Sequence, residues 1–234
     1  MRFIALALAA LLVSPLAEAC PRPNLVDVAL TVDGATLLDD GGVVIETRNG
    51  DGQAGNELKG GLTLWSGRKQ LAATMDFIAP GLVVLRPPRG HRRRIKAVDG
   101  NNKVRLTLTQ AKAKAPHAAP MVTLFTSTFP PSTSKVPPSP GPGVQASTAT
   151  LTLATMADDD VIAIVVSVIT KDGPVSLAYW RRTEDLTYTY RTGGKGCVPR
   201  PGPAHVGDMV AFSFIDKHGR LSDPSKPVAV TAAK

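Results

Sequence analysis

Apolar residues recur at every second position through much of this chain, in short runs separated by turn-forming pairs. In Leu25 to Asp33, Val26, Val28, Leu30 and Val32 alternate with Asp27, Thr31 and Asp33, the pattern of a half-buried strand. Val43 to Thr47, Leu62 to Trp65 and Leu82 to Leu85 are further apolar pieces. Lys103 to Thr109 alternates most clearly, with Val104, Leu106 and Leu108 predicted inward and Lys103, Arg105, Thr107 and Thr109 outward. Asn49-Gly50, Asp51-Gly52, Pro80-Gly81 and Asp99-Gly100 supply the turns between them. The sum predicts a sandwich or barrel of about seven strands. Glu57 to Met75 fits least well and admits a short helix.

The second half repeats the pattern in Met121 to Thr128, Ala149 to Thr155, Val161 to Ile169, Val175 to Arg181, Leu186 to Arg191, Met209 to Ile215 and Val228 to Thr231. Asp160 to Ile169 is the most apolar run after the N-terminal one. It has about half the length of a membrane-spanning helix, so a strand buried on both faces is expected. Two tracts interrupt the ladder. Ala111 to Ala119 reads as a connection, and Pro130 to Gly143 holds eight Pro or Gly among fourteen residues, an exposed extended loop. The domains expected are a signal at 1–19, a β-sandwich at 20–112, a linker at 113–120 and a second sandwich at 121–234 with a flexible proline-rich loop at 130–146.

Gly207 to Ala232 (GDMVAFSFIDKHGRLSDPSKPVAVTA) resembles the last hairpin of fibronectin type III and related immunoglobulin-like domains. Val210, Phe212 and Phe214 alternate as its penultimate strand would. Asp216 and Gly219 match its turn, Ser222 and Ser225 its connection, and Pro227, Val228 and Val230 its closing strand. The resemblance implies an immunoglobulin-like sandwich and carries no function, since that architecture hosts adhesion, scaffolding and receptor modules alike. The chain departs from the family in its proline-rich insertion and lacks the intersheet cysteine pair of antibody domains.

Composition agrees with this class. The 234 residues are 43% hydrophobic and 20% charged, with 21 Gly and 20 Pro, which suits two all-β domains and excludes a helical bundle. At the N-terminus, Arg2 precedes the apolar run Phe3 to Val13, and Ala17-Glu18-Ala19 precedes Cys20, the order of a cleaved secretory signal. Export to the periplasm, cell surface or medium is expected. Lipoprotein anchoring at Cys20 is the alternative, disfavoured by Ala17 where a bulky aliphatic residue is expected. In an oxidising compartment Cys20 and Cys197 pair most simply, closing a 178-residue loop. Such closure is worth at most about 5 kcal/mol and would tie the start of the first domain to a loop of the second.

The net charge is +8. It lies mainly in the first half, where Arg86, Arg89, Arg92, Arg93, Arg94 and Lys96 put six cations into eleven residues. If extended, Arg92, Arg94 and Lys96 share one side, roughly 6–7 Å apart, a spacing that can follow a polyanion. An acidic polysaccharide, lipopolysaccharide phosphate or extracellular DNA would fit, though nucleic acid is disfavoured because no aromatics interleave the run. The simpler account is a solvated rim.

Asp158-Asp159-Asp160 and Asn49 to Gln53 invite a calcium reading, but Ala54 and Gly60 occupy the glycine and glutamate positions of a calcium loop, so turns account for both. No nucleophile elbow, zinc-protease helix or phosphate-binding loop occurs, and His91, His117, His205 and His218 lack ligand spacing. No catalytic residue, metal site or cofactor is therefore assigned. Tyr179, Trp180, Tyr188 and Tyr190 on successive strands around Arg181 and Arg182 admit an aromatic platform, but with so few aromatics in the chain most are expected in cores. The function expected is a non-catalytic binding or structural module of the bacterial cell envelope or secretome, with an anionic polysaccharide or another envelope protein as partner. The alternatives are a polyanion binder using Arg86 to Lys96, and an accessory domain of, or a divergent, secreted hydrolase.

Overall fold

The computed structural model describes residues 25–49, 57–58, 61–89, 94–112, 115, 117–129, 147–192 and 204–233. They form strands and no helix. The first half contains β1 (Leu25–Ala29), β2 (Thr36–Leu38), β3 (Val43–Asn49), β4 (Glu57–Leu58), β5 (Leu62–Ser66), β6 (Lys69–Gln70), β7 (Thr74–Ala79), β8 (Leu82–Arg86), β9 (Ile95–Asp99) and β10 (Val104–Ala111). They assemble as one sheet of order β4-β1-β3-β8-β7 and a second of order β2-β10-β9-β5-β6. Val43, Ile45 and Leu85 of the first sheet pack on Leu64, Ile95, Ala97 and Leu108 of the second, which makes the pair a sandwich. Short strands around the Gly67 turn, with φ at 59°, replace the helix admitted at Glu57 to Met75.

The second half contains β11 (Val122–Ser127), β12 (Ser147–Leu153), β13 (Val161–Thr170), β14 (Gly173–Arg181), β15 (Thr187–Thr192), β16 (Met209–Asp216), β17 (Val228–Ala229) and β18 (Thr231–Ala232). Its sheets have the orders β15-β12-β11-β18 and β14-β13-β16-β17. Between them Phe125, Leu151, Ile164, Trp180, Tyr188 and Phe212 form a core, with Phe125 edge-on to both Trp180 and Phe212. Ser222 and Ser225 have a structural task here: their hydroxyls accept the backbone N–H groups of Phe214 and Phe212 at 2.9 and 3.1 Å. They pair this stretch of β16 beside a segment that is not itself a strand.

Two alternations break where backbone geometry breaks. Val32 is 66% exposed and Thr31 buried, because β1 ends at Ala29 and the Thr31 hydroxyl accepts the Val44 N–H at 2.9 Å. Val104 is 46% exposed because a register shift separates it from Leu106.

A third apolar cluster joins the sandwiches. Val44, Ile78, Ala79, Leu82 and Val84 on the outer face of β3-β8-β7 meet Ala163, Val165 and Ile215 on the outer face of β13 and β16. This is why β13 is apolar on both faces: Ile164 and Val166 fill its own core while Ala163 and Val165 cover the neighbour. Each valine, leucine or isoleucine covered in this way is worth about 1.5–3 kcal/mol, so the apolar centre dominates the junction.

Candidate functional site

The junction is edged by polar groups that the same strands present. Glu46 follows Val44 on the outer side of β3, and Tyr179 and Arg181 occupy the facing side of β14, opposite Val165 and Ala163. Tyr179 Oη donates to Glu46 Oε1 at 2.8 Å, Arg181 Nε donates to the same oxygen at 3.0 Å, and Arg181 Nη2 engages Oε2. The hydrogen bond to Glu46 raises the Arg181 pKa above its ordinary value. Glu46 was missed in the sequence. The available signal was one carboxylate directly after the apolar run Val43 to Ile45.

At the other edge, Arg86 ends β8 on the side that carries Val84. Its Nε pairs with Asp76, Nη1 donates to the Asp40 carbonyl at 2.5 Å, and Nη2 donates to the Gly219 carbonyl at 3.0 Å. Beside it the turn after β16 touches the turn before β3. The Gly42 N–H donates to the His218 carbonyl at 2.7 Å, and His218 Nδ1 lies 2.5 Å from the Thr36 carbonyl. Here glycine is required. A Cβ on Gly219, whose φ is 74°, would stand 2.8 Å from the Gly42 carbonyl oxygen and 2.9 Å from Val84 Cγ1.

A groove of about 560 Å³ opens above this contact, lined by Asp39, Asp40, Asp76, Arg86, Arg89 and Arg220 among others. It mixes both signs, and its arginines are partly engaged: Arg86 as above, and Arg220 through Nε and Nη2 with Asp216 at 3.0 and 2.8 Å. The six-cation run is therefore divided. Arg86 belongs to the junction and Arg89 to the groove rim. Arg94 and Lys96 are exposed on the far side of the first sandwich, because buried Ile95 and Ala97 fix the phase of β9. Arg92 and Arg93 lie outside the described residues, as do Cys20, Cys197, the 130–146 loop and residues 50–56.

The three consecutive aspartates diverge to three partners. Asp158 meets His117 Nδ1 at 2.9 Å, Asp159 meets Arg182 Nη2 at 2.7 Å, and Asp160 pairs with Lys217. The Lys217 hydrogen bond holds the Asp160 carboxyl below the ordinary aspartate range. His117 also stands 3.8 Å from Asp216, which fastens the connection between the sandwiches to the second one. Among the described residues, no three His, Cys, Asp or Glu side chains gather as a metal site, and no helix is long and apolar enough to cross a membrane.

No family model and no curated protein matches the chain. Function must therefore be argued from its own geometry.

On β14 and β15 the core reading of the aromatics holds for Trp180 and Tyr188, and the alternative of a platform is not formed by the described side chains. Trp180 and Tyr188 are 7% and 2% exposed in the core, and Tyr179 is drawn into the junction. A different aromatic occupies a polar surface. Trp65 on β5, Lys96 on β9 and Thr107 on β10 form one row across three strands, above a layer that includes Leu64, Ala97 and Leu108. Trp65 Nε1 donates to Thr63 Oγ1 at 3.0 Å.

Proposed function

We propose that this chain is an exported, non-catalytic scaffold of two immunoglobulin-like sandwiches in the bacterial envelope or secretome, with Cys20 and Cys197 joined by a disulfide. The junction carries this reading. Glu46, Arg181, Arg86 and Asp76 join across and around an apolar seam. Side chains that a catalytic cleft would leave available are committed there to holding the sandwiches in one orientation.

Strand order supports the fold assignment. In the first sandwich β1-β3-β8-β7 lies against β10-β9-β5, the arrangement of strands A-B-E-D and G-F-C in immunoglobulin constant-type domains. In the second, β12-β11 and β13-β16 take the places of B-A and C-F. Both halves also carry one turn design, after β9 and after β16. Asp99 and Asp216 each accept the N–H groups two and four residues on, and Asn102 and Gly219, three residues on, have φ of 59° and 74°. A duplicated module supports a structural or binding role over a single reaction centre.

The test is fractionation of cells expressing the tagged full chain, followed by intact-mass measurement. The expected product lies outside the cytoplasm, starts at Cys20 and is two hydrogens lighter than the dithiol. An uncleaved cytoplasmic precursor overturns the proposal. Polyanion binding is a second reading, favoured by the exposed Arg94 and Lys96.

A further inference from the structure

We infer that the outer face of β10-β9-β5 binds an acidic polysaccharide, with Trp65 as the stacking surface for one sugar ring and Lys96 and Arg94 as partners of its anionic groups. The inference rests on the binding-module reading and adds a site and a ligand class to it.

Three observations converge. First, the bond from Trp65 Nε1 to the hydroxyl two residues earlier on its own strand lays the indole along the sheet. Trp65 is half-buried, so a ring so held can present a π-face against which the C–H face of a pyranose packs. The chain has two tryptophans; Trp180 lies in a core, while Trp65 lies on the sheet face opposite buried Leu64, among threonines and lysine.

Second, the cations lie where an attached chain would run. Lys96 is the direct cross-strand neighbour of Trp65, and Arg94 precedes it by two residues, about 6–7 Å further along. Gln70, the Trp65 partner on β6, shares this face and is exposed as well. Of the nearby carboxylates, Asp99 is buried against Arg105 at 2.6 Å, whereas Asp33, which accepts the Thr107 N–H at 2.6 Å, keeps its charge at the β10 end of the row, away from Arg94. The face is thus complementary to an anion.

Third, Thr107 adds a hydroxyl to the row, which suits sugar hydroxyls, while the Thr63 hydroxyl, donating to the Val98 carbonyl at 3.1 Å and accepting from Trp65, fixes the ring. One aromatic with a flanking hydroxyl favours a glycan over single-stranded nucleic acid, whose binders stack successive bases on several rings.

The experiment is native affinity electrophoresis of the processed full-length protein in gels containing polygalacturonate, neutral dextran or duplex DNA, with Trp65→Ala and the double variant Arg94→Gln, Lys96→Gln alongside. Polygalacturonate should retard the wild type and dextran should not. Each variant should weaken retardation by at least about five-fold, the scale of one lost stacking or charge contact. Retardation unchanged in the double variant, whose residues are exposed and removable without loss of fold, overturns the inference. So does equal retardation by DNA that is insensitive to Trp65. If polygalacturonate leaves the wild type unretarded the surface inference fails, while the scaffold reading stands or falls on fractionation.

Discussion

Arg181 of the second sandwich closes on Glu46 of the first with two donors, although the two residues are 135 positions apart in sequence. The partners are unequally exposed, 47% for the arginine side chain and 7% for the glutamate. Removing either side therefore has different consequences. Arg181→Ala leaves a buried carboxylate with Tyr179 as its remaining side-chain donor across the junction. The loss should be about 2–3 kcal/mol, below the 3–5 kcal/mol of fully buried pairs because water reaches the guanidinium. Glu46→Gln keeps an acceptor for Tyr179 and leaves an arginine that water can solvate, so about 1 kcal/mol is expected. Urea unfolding of the two variants checks the order; equal losses would contradict the asymmetry.

Gly219 and Gly34 separate backbone strain from contact across the junction. Both have positive φ, 74° and 77°, but nothing lies within 4 Å of a Cβ placed on Gly34. Gly34→Ala should lose about 1–2 kcal/mol, the left-handed penalty alone. Gly219→Ala adds a collision with the Gly42 carbonyl and should lose about 3 kcal/mol or more. Thermal melts of the pair measure the difference.

Acid should weaken the fold through identified carboxylates. Burial pushes the Asp99 carboxyl up, but hydrogen bonds from Arg105, Lys103 and Asn101 outweigh it, so its pKa is lowered; that of Asp160 is lowered by Lys217. A depressed folded-state value contributes stability that is fully present above the unfolded value of about 3.9 and is lost as pH falls through the folded one. The Asp99→Asn and Asp160→Asn variants should melt below the wild type at pH 7, and the gap should narrow below pH 4. A gap constant with pH would assign their effects to packing.

Much of the strand pattern was legible because a half-buried strand writes its burial into alternate residues, as Leu106 and Leu108 do on β10. Phase without register was less informative. Trp180 and Tyr188 could be expected in a core from the scarcity of aromatics, but nothing in their own strands says which face the other sheet covers. The cation run also appeared continuous in sequence. In the structure Arg86 ends a strand facing the second sandwich, Pro87 and Pro88 terminate it, and β9 restarts with Lys96 outward, so neighbours in sequence serve different surfaces. The junction itself was illegible except as the unexplained two-faced apolarity of β13.

That apolarity gives the sharpest test of coupling. Val165 is 3% exposed and belongs to the junction cluster, while the cores of both sandwiches are built without it. Val165→Asp places a carboxylate against Val44, Leu82 and Val84 with no cation assigned to it there. An unpaired buried charge costs several kcal/mol, and at this position the whole of that cost falls on the junction and none on either core. The sandwiches should part while each keeps its own core. The single calorimetric transition expected of the wild type should then split in two, with near-native strand content by circular dichroism until the first is complete. A single transition at the wild-type temperature would show that the apolar seam does not couple the two halves.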